Sequence, residues 1–550
     1  MEILTPWAPF RTSLVTLRVA LVCLVGMASG RAFYFDSDSG RDANAGTSRS
    51  QALRSLAITR STKFKAGDSL LFKRGGYWTK DSLFLSSQGT AIAPIVVSAY
   101  GNPSLRRPHL HNTGYLVVLN KASHIVIEDL ELSGARGGCL EMWDSTVSHV
   151  VVRRIEAHDC GGGVYATGTD ISILDNQIHD GHMVVNTKNT MDDDYGATGV
   201  GLSKLDGCLV RGNRMWNLVA PSYDYGVDGG AIEFWKTVRH CDIYGNFALN
   251  ADGFSEFGGQ PGDSVIAVSV HHNVSLETGP LACFHMSDPT LPFGITYDSV
   301  RFDNNLSVDR FANSWGFHII ADGGKLDRPN RIQIRNNIFV TDSANSYHYQ
   351  QNDSKAPTWI HVSNLLWNRF NDPFAAGSGR VRGSGELFGH PRFHGLLWDS
   401  TAVIDTVLSD YRLLPESPAY GTGLDLGYAN DYFGHPASVS GIVDRGPFAR
   451  GTFTGLVPER KARSRQTDLR LRAGQVEIQL HDLPTGTQVE LVAREVSGKT
   501  VRKLGMWKAD AGFFERKVDL PRKAGLLVLD LSMNGNRRSV EMVPSWKVGW

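Results

Sequence analysis

Two short segments of this chain carry a glutamate at the same position. In GGAIEF (229–234) it is Glu233, and in DGFSEF (252–257) it is Glu256, with Asp228 just before the first segment and Asp252 opening the second. If the segments are strands on neighbouring coils of one sheet, side-chain alternation turns both glutamates outward, about 5 Å apart. This separation of about 5 Å is typical of the nucleophile and the acid/base of a retaining glycosidase.

Close like charges change the acidity of such a pair. Two carboxylates about 5 Å apart resist ionising together, so the pKa of one should rise toward the range that a general acid needs at neutral pH. The candidate catalytic residues are therefore Glu233, Glu256, Asp228 and Asp252. The competing interpretation is a solvated acidic face that Lys236, Arg239 or a cation neutralises.

Other side chains could line the same face as binding groups. The segments LACFHM and WGFHII continue the alternation and predict His285 and His318 beyond Glu256. Glu141 is expected in the same column, two coils below Glu233. The candidate substrate-binding residues are His285, His318, Tyr225, Trp235, Trp315 and Lys236. For the aromatic and histidine side chains, ordinary packing is the competing interpretation.

Asparagines mark the elements that must position these groups. Seven short runs of alternating residues end at an asparagine, at intervals of 27 to 37 residues: Asn176, Asn213, Asn246, Asn273, Asn305, Asn337 and Asn364. Two earlier runs carry Asp129 and Arg154 at the corresponding place. A repeat of this length with period-2 strands predicts a solenoid of β-coils. At a sharp corner an asparagine tolerates left-handed backbone angles, and stacked amides can bond one another.

Segments on both sides of the repeats resemble those of a known superfamily. FYFDSDSGRDANAGTSRSQALRSL, FKAGDSLLFKRGGYW and IAPIVVSAYG resemble the N-terminal segment of the right-handed parallel β-helix (pectate-lyase-like) superfamily, and DYRLLPESPAYGTG with DRGPF resembles its closing segment. The resemblance covers residues 32 to 450. It implies a secreted polysaccharide-active protein with a right-handed parallel β-helix, nearest in character to the β-helix glycoside hydrolases.

The same resemblance raises calcium as a possible cofactor. In β-helix lyases, clustered aspartates bind calcium that neutralises the substrate uronate, while a lysine or arginine abstracts a proton. Asp192, Asp193 and Asp194 are candidate ligands here, since calcium prefers oxygen. A solvated run of charges is the competing interpretation, and no lysine or arginine lies in a recognisable lyase pattern. The prediction is therefore no required cofactor, with Ca²⁺ as the alternative.

The N-terminus and the overall charge predict where the protein acts. Arg11 and Arg18 precede an apolar run that ends in small residues at 28–30, which indicates an export signal, with an uncleaved membrane anchor as the alternative. Lys+Arg and Asp+Glu both number 56, so nothing favours a nucleic-acid partner. We expect a secreted monomer, extracellular or periplasmic, with no membrane contact after signal cleavage.

The predicted organisation has five parts. These are a signal peptide (1–30), an N-terminal cap with the first β-helix turns (31–105), the β-helix with its closing segment (106–450), a linker (451–465) and a small Ig-like β-sandwich (466–550). The last part is predicted from short alternating strands separated by turn residues, with a carbohydrate-binding module as the alternative. The five cysteines after the signal are predicted to be core thiols, with a disulfide possible.

The predicted function is that of a carbohydrate-active enzyme. The paired carboxylates favour a retaining glycoside hydrolase acting on a polysaccharide or oligosaccharide. Two alternatives stay open at this point. One is a calcium-dependent polysaccharide lyase or uronate epimerase, and the other is a non-catalytic glycan-binding surface protein.

Overall fold

The computed structural model describes most of the chain from residue 30 to residue 450 and seven strands after it. The described residues are 30–79, 81–188, 193–285, 295–309, 317–321, 331–341, 347–351, 359–368, 372, 382–394, 411–450, 467–472, 475–483, 488–495, 500–508, 512–519, 526–533 and 536–544. Residues 1–29 of the predicted signal peptide, Asp192 and Trp315 lie outside them.

Each coil consists of up to three strand segments, here called arms 1, 2 and 3, and every arm pairs in parallel with the same arm of the next coil. The arm 1 strands, three of which run on into arm 2, are Leu83–Leu85, Val117–Leu119, Gly138–Met142, Gly162–Leu174, Thr198–Arg211, Gly230–Tyr244, Ser255–Gly258, Ala282–Phe284, Phe317–Ala321 and Tyr347–Gln351. The remaining arm 2 strands are Ala32–Phe35, Ser69–Lys73, Ile95–Tyr100, Ser123–Glu128, Ser148–Arg153, Ser264–His271, Thr296–Asp298, Val300–Asp303, Ile332–Arg335 and Ile360–Val362. The arm 3 strands are Tyr77–Trp78, His109–His111, Glu131–Ser133, Glu156–His158, Gln177–His179, Arg214–Leu218, Phe247–Ala251, Val274–Leu276, Leu306–Asp309, Ile338–Thr341, Leu365–Asn368 and Leu387–Phe388. The predicted parallel β-helix is confirmed.

The core runs along the axis between the arms. In arm 1, Phe234, Phe257 and Phe284 stack with ring centroids 4.4 and 4.7 Å apart, and all three side chains are fully buried. Burying a side chain of this size stabilises the fold by roughly 1.5–3 kcal/mol. The stack locks the register of neighbouring coils, and it therefore also sets which outward side chains lie side by side.

The asparagines form a continuous buried ladder between arms 2 and 3. From Asn176 to Asn337, each Nδ2 donates to the Oδ1 of the asparagine on the next coil at 2.9–3.0 Å, and Nδ2 of Asn364 donates to Oε1 of Glu386 at 2.8 Å. Each of these Nδ2 groups also donates to a backbone carbonyl, and each accepting Oδ1 takes a backbone N–H as well. The predicted amide stacking is confirmed, and every one of these buried polar groups is paired.

The left-handed corner residue comes one position before the ladder, which corrects the sequence interpretation. Asp175, His272 and Asn304, which precede ladder asparagines, have φ angles of 54°, 49° and 53°. Asp129 and Arg154, with φ of 58° and 52°, also occupy this preceding position, as the pairing of the flanking strands shows. The corner thus divides two tasks: one residue makes the turn, and the next supplies the amide.

Four of the five cysteines are not core thiols as predicted. Cys139 bonds Cys160, and Cys208 bonds Cys241, each pair joining neighbouring coils. Cys283 alone is a buried thiol among the described residues. Equivalent positions on adjacent coils lie within disulfide-bonding distance. Cys208 and Cys241 occupy such paired positions, and this pairing was the sequence signal for their disulfide.

Short helices and antiparallel strands complete the described chain. A 3₁₀ turn (Arg49–Gln51) and one helical turn (Ile58–Ser61) lie within residues 31–105, where the N-terminal cap was predicted. Beyond residue 466 the strands form two antiparallel sheets: Thr467–Arg472, Gln475–Leu483 and Gly512–Asp519 in one, and Gln488–Glu495, Thr500–Lys508, Leu526–Met533 and Asn536–Pro544 in the other. The Ig-like assignment of this region stays a prediction. No described helix is long and apolar enough to cross a lipid bilayer.

Candidate active site

Glu233 and Glu256 lie side by side on consecutive coils. They pair directly in arm 1, and the residues on either side of each glutamate are buried in the core. Both glutamates point outward and keep partial solvent exposure. Neighbouring strands lie about 4.8 Å apart, so the fold holds these carboxyl groups near the separation of a retaining pair.

The column that carries this pair extends toward the N-terminus. It reads Glu141, Tyr165, Gly201, Glu233 and Glu256. Glu141 is therefore three coils from Glu233, not two as expected from the sequence, because the coils that contribute Tyr165 and Gly201 both intervene.

His285 contacts the pair from a position that alternation did not predict. The residue paired with Glu256 on the next coil is Cys283, and Ile320, not His318, follows it. The column of two glutamates and two histidines is therefore wrong. Even so, Nε2 of His285 lies 2.8 Å from Oε1 of Glu256. Because an ionised carboxylate only accepts hydrogen bonds, this nitrogen is the donor.

Backbone contacts hold His285 in this orientation. Its N–H donates to the carbonyl of Phe257 at 2.8 Å, and the Tyr297 hydroxyl donates to the carbonyl of His285 at 2.7 Å. The same hydroxyl lies 3.0 Å from the carbonyl of Phe257. A buried tyrosine thus fastens the turn that carries the histidine to the strand that carries Glu256.

Glu233 has a different environment from Glu256. The Thr198 hydroxyl, from the coil below, donates to Oε1 of Glu233 at 2.6 Å. Burial and, after it, the negative charge of Glu256 raise the pKa of Glu233 well above its ordinary value of 4.5. Glu233 therefore keeps its proton to higher pH than an exposed glutamate does.

Asp228 and Asp252 complete a group of four acids. Asp228 ends the strand Gly226–Asp228, and its Oδ1 accepts the N–H of Gly229 at 2.7 Å. Burial and then the charge of Glu256 raise the pKa of Asp228 to about 7. Burial, followed by the charges of Asp228 and Glu256, raises the pKa of Asp252 well above 3.8.

No basic side chain among the described residues forms an ion pair with these four acids except His285. Lys236 forms none, and Arg239 instead donates to the hydroxyl of Ser264. Lys236 has a left-handed φ of 68° directly after Trp235, at the junction of arms 1 and 2. Within the described part of the chain, the repulsion among these acids is therefore relieved mainly by protonation, with His285 as the one basic partner.

Two hairpins, one inserted between Asn176 and Asn213 and the other between Asn213 and Asn246, stand beside the carboxylates. One pairs Met183–Val185 with Tyr195–Gly196, and the other pairs Ala220–Ser222 with Gly226–Asp228. The second hairpin ends at Asp228 itself, so the insertion supplies one of the four acids. The tip carries Tyr225, whose side chain is 50% exposed.

The acidic cluster predicted for calcium fastens these two hairpins together. Oδ2 of Asp194 accepts the Ser222 hydroxyl at 2.8 Å and the N–H groups of Tyr223 and Asp224 at 2.7 and 3.1 Å. Asp224 in turn accepts the N–H groups of Asp193 and Asp194. Carboxylate oxygens of Asp193, Asp194 and Asp224 are ligands of the type that calcium prefers, and they lie close enough together to bind one ion. Backbone donors already satisfy most of them, so calcium here stays a prediction.

The remaining predicted binding residues have different outcomes. Trp235 is 47% exposed, and its ring lies across Gly258 on the next coil, where an added Cβ would be 2.2 Å from the ring. Trp235 therefore forms a flat wall beside the glutamates. Of His318 only the strand position is described, and Trp315 lies outside the described residues.

Sequence reasoning missed Thr198 and Tyr297. Thr198 pairs with Gly230, so extending the alignment by one coil toward the N-terminus would have found it. Tyr297 comes from arm 2 and reaches His285 across the core side of the sheet. No local pattern signals that contact, because it joins two arms of the structure.

The chain is similar to several carbohydrate-active proteins. No protein-family model matches it. A stretch of 90 residues is 34% identical to a lacto-N-biosidase of Bifidobacterium longum subsp. longum, and it covers 16% of this chain and only 6% of that protein. Among solved structures, a pectate lyase is similar with a TM-score of 0.47 and 13% identity, covering 78% of this chain and 98% of its own. A GH136 lacto-N-biosidase from Eubacterium ramulus is similar with a TM-score of 0.36 and 14% identity, covering 65% of this chain and 68% of its own. The parallel pairing of successive coils shows the fold itself, a parallel β-helix.

Proposed function

We propose that this protein is a secreted retaining glycoside hydrolase acting on a neutral polysaccharide or oligosaccharide. The observation that carries the proposal is the in-register pairing of Glu233 with Glu256, in an acidic site that no described lysine or arginine neutralises. A retaining hydrolase needs two carboxyl groups about 5–5.5 Å apart, one protonated and one ionised.

The two environments support an assignment of roles. The raised pKa of Glu233, caused by burial and by the charge of Glu256, favours the protonated form that a general acid requires. Glu256 accepts a hydrogen bond from His285, and such a donor stabilises a carboxylate anion. We therefore assign Glu233 as the acid/base and Glu256 as the nucleophile.

The reaction then proceeds in two balanced steps. Glu233 gives its proton to the glycosidic oxygen while a Glu256 oxygen attacks the anomeric carbon, so the bond to the leaving sugar breaks as a glycosyl ester forms. Glu233, now ionised, takes a proton from water, and the resulting hydroxide displaces Glu256. The product keeps the anomeric configuration of the substrate.

The other acids and the aromatic side chains fit a neutral substrate. Asp228 and Asp252 have raised pKa values, so each can donate a hydrogen bond to a sugar hydroxyl when protonated. Trp235 offers an exposed ring face for stacking against a sugar. A uronate would meet four acids and, among the described residues, no lysine or arginine, and this repulsion favours hydrolysis of a neutral glycan over elimination on an acidic one.

Two disulfides support a secreted location, because such bonds persist in oxidising compartments. The export signal expected at residues 1–30 agrees with that location. We also propose that the C-terminal strands form an Ig-like module and that the protein is a monomer.

Product analysis on a panel of neutral and uronic polysaccharides, with and without chelator, tests the proposal. We expect reducing sugars from a neutral glycan, retained anomeric configuration by NMR at early times, and no loss of activity on chelation. An unsaturated product that requires calcium would instead show a lyase, and epimerised uronate without cleavage an epimerase. Glycan binding without any product would indicate a non-catalytic binding protein.

A further inference from the structure

We infer that the outward face of arm 1 carries a second glycan-binding site, formed by Tyr165, Glu141, Trp143 and Tyr115 and here called the distal platform. Its ligand is a neutral glycan chain that also reaches the carboxylates. The inference deepens the proposed function and rests on it for the class of ligand. The geometry that carries it is independent of the catalytic assignment.

The first part of the platform is a ring that lies flat in a recess lined by glycine. A Cβ added at Gly201 would be 2.5 Å from Cδ1 of Tyr165, and one added at Gly138 would be 2.8 Å from its Cδ2. Glycine at these two positions on the flanking coils leaves room for the ring. Gly201 also separates Tyr165 from Glu233 in the column, so this column position adds no side chain between the ring and the catalytic pair.

The second part is a tryptophan held rigidly at the surface. The indole N–H of Trp143 donates to Oε2 of Glu141 at 2.7 Å, while Oε1 of Glu141 accepts the N–H of Gly138 at 2.8 Å. Tyr115 and Phe84 meet the indole edge-on, with ring centroids 4.8 and 5.7 Å away. A ring fixed in this way loses little conformational entropy when a ligand stacks on it.

Exposure separates this arrangement from ordinary packing. Trp143 and Tyr115 are 44% and 54% exposed, although each is braced by neighbours. A large aromatic ring that is both exposed and held in one orientation is suited to stacking against the apolar face of a sugar. Both oxygens of Glu141, the one acid in the platform, are already engaged, so the surface suits a neutral chain.

The spacing links the platform to the carboxylates. Glu141 and Glu233 are three strand spacings apart along the column, or about 14 Å. A glycan lying along the helix axis would cross Tyr165 between these ends. The site therefore selects substrates long enough to span several sugars on one side of the cleaved bond.

Affinity electrophoresis tests the platform without requiring turnover. The protein carries Glu233→Gln to prevent hydrolysis, and native gels contain galactomannan, xyloglucan, xylan or arabinogalactan, with alginate and polygalacturonate as acidic probes. We compare Trp143→Ala and Tyr115→Ala in this background with the matched control Tyr77→Ala, a 49% exposed tyrosine on arm 3. Thermal melts confirm that each variant is folded, and a Trp143→Phe variant retains a stacking ring if the alanine variant does not fold.

We expect at least one neutral polysaccharide to retard the parent, and Trp143→Ala to weaken that binding about tenfold. Tyr115→Ala should weaken it less, and Tyr77→Ala should bind as the parent does. The inference is overturned if no neutral probe retards the parent, if acidic probes alone do, or if Trp143→Ala binds unchanged. Trp143-dependent binding by a protein that yields no product would remove the proposed reaction and keep the platform. Conversely, hydrolysis that depends on Glu233, together with unchanged binding by Trp143→Ala, would keep the proposed reaction and remove the platform.

Discussion

The asparagine ladder and the carboxylate column are two stacks of polar residues built on the same repeat, and they differ in how their polar atoms are paired. In the ladder, Asn246 donates to Asn273 and accepts from Asn213, and all three are fully buried. In the column, Glu233 lies against Glu256 with no described lysine or arginine beside either. One stack satisfies each group with its neighbour, and the other places like charges together.

The difference shows how a solenoid separates stability from reactivity. A neutral amide both donates and accepts, so stacking identical amides pairs all of them. Ionised carboxylates only accept, so stacking them leaves repulsion that must be relieved by protonation. The same spacing of about 4.8 Å therefore stabilises the corner and perturbs the acidity of the outward face.

The largest effect is expected from the catalytic pair. Glu233→Gln and Glu256→Gln keep the shape of the side chain but cannot exchange a proton or attack carbon, so kcat should fall by about 10²–10⁴-fold or more. Circular dichroism and the melting temperature should stay close to wild type. Glu416→Gln, at an exposed position of the closing segment, serves as control. A wild-type rate in either variant would remove that residue from the site.

The next largest effect is expected from a substitution that interrupts the asparagine ladder. Asn246→Ala removes the acceptor of the Asn213 N–H and Nδ2 groups and the donor to the Val210 carbonyl, and leaving buried groups unpaired costs about 1–3 kcal/mol each. We expect the free energy of unfolding in urea to fall by about 3 kcal/mol or more. Asn102→Ala, at an exposed turn, should change it little. Equal stability of the two variants would contradict the role given to the ladder.

A smaller effect on catalysis is expected at His285. Removing its hydrogen bond to Glu256 in His285→Ala should lower kcat about 10- to 100-fold, since a hydrogen bond to a charged group contributes about 1.5–3 kcal/mol. The pH–rate profile should shift as well, which loss of packing alone would not cause. His240→Ala, which removes an exposed pairing with Asp206, is the control. If both variants retain the wild-type profile, Glu256 does not depend on the histidine.

The smallest effect concerns stability as a function of pH. The pKa of Asp228 is about 7 in the folded protein against an ordinary value of 3.8. The folded state therefore holds this proton more tightly, and stability is lost as pH rises from about 4 to about 7. Asp228→Asn removes that loss, so its melting temperature should exceed that of wild type at pH 8.

The difference in melting temperature between Asp228→Asn and wild type should shrink toward pH 4, where both side chains are neutral. Asp206→Asn, at an exposed position, should show no such trend across the same pH series. An Asp228→Asn variant less stable than wild type at pH 8 would mean that the outward carboxylates stabilise the fold, and the contrast with the ladder would fail.

Much of this contrast was already determined by local sequence. The alternation around Glu233 and Glu256 decides which side chains face outward, and the asparagine spacing identifies the coil to which each belongs. Both features depend on residues close together in the chain, because a parallel coil repeats the same local conformation. The fold and the pairing of the two glutamates therefore followed from the sequence alone.

Only the tertiary structure decided what surrounds that pair. His285 reaches Glu256 although Cys283 holds the paired position, Thr198 comes from the coil below, and Tyr165 fills the space over Gly201. These contacts depend on the lengths of the inserted loops and on the reach of side chains between coils. Sequence periodicity specifies the spacing and direction of each position, whereas the partner that a side chain meets is set by packing in three dimensions.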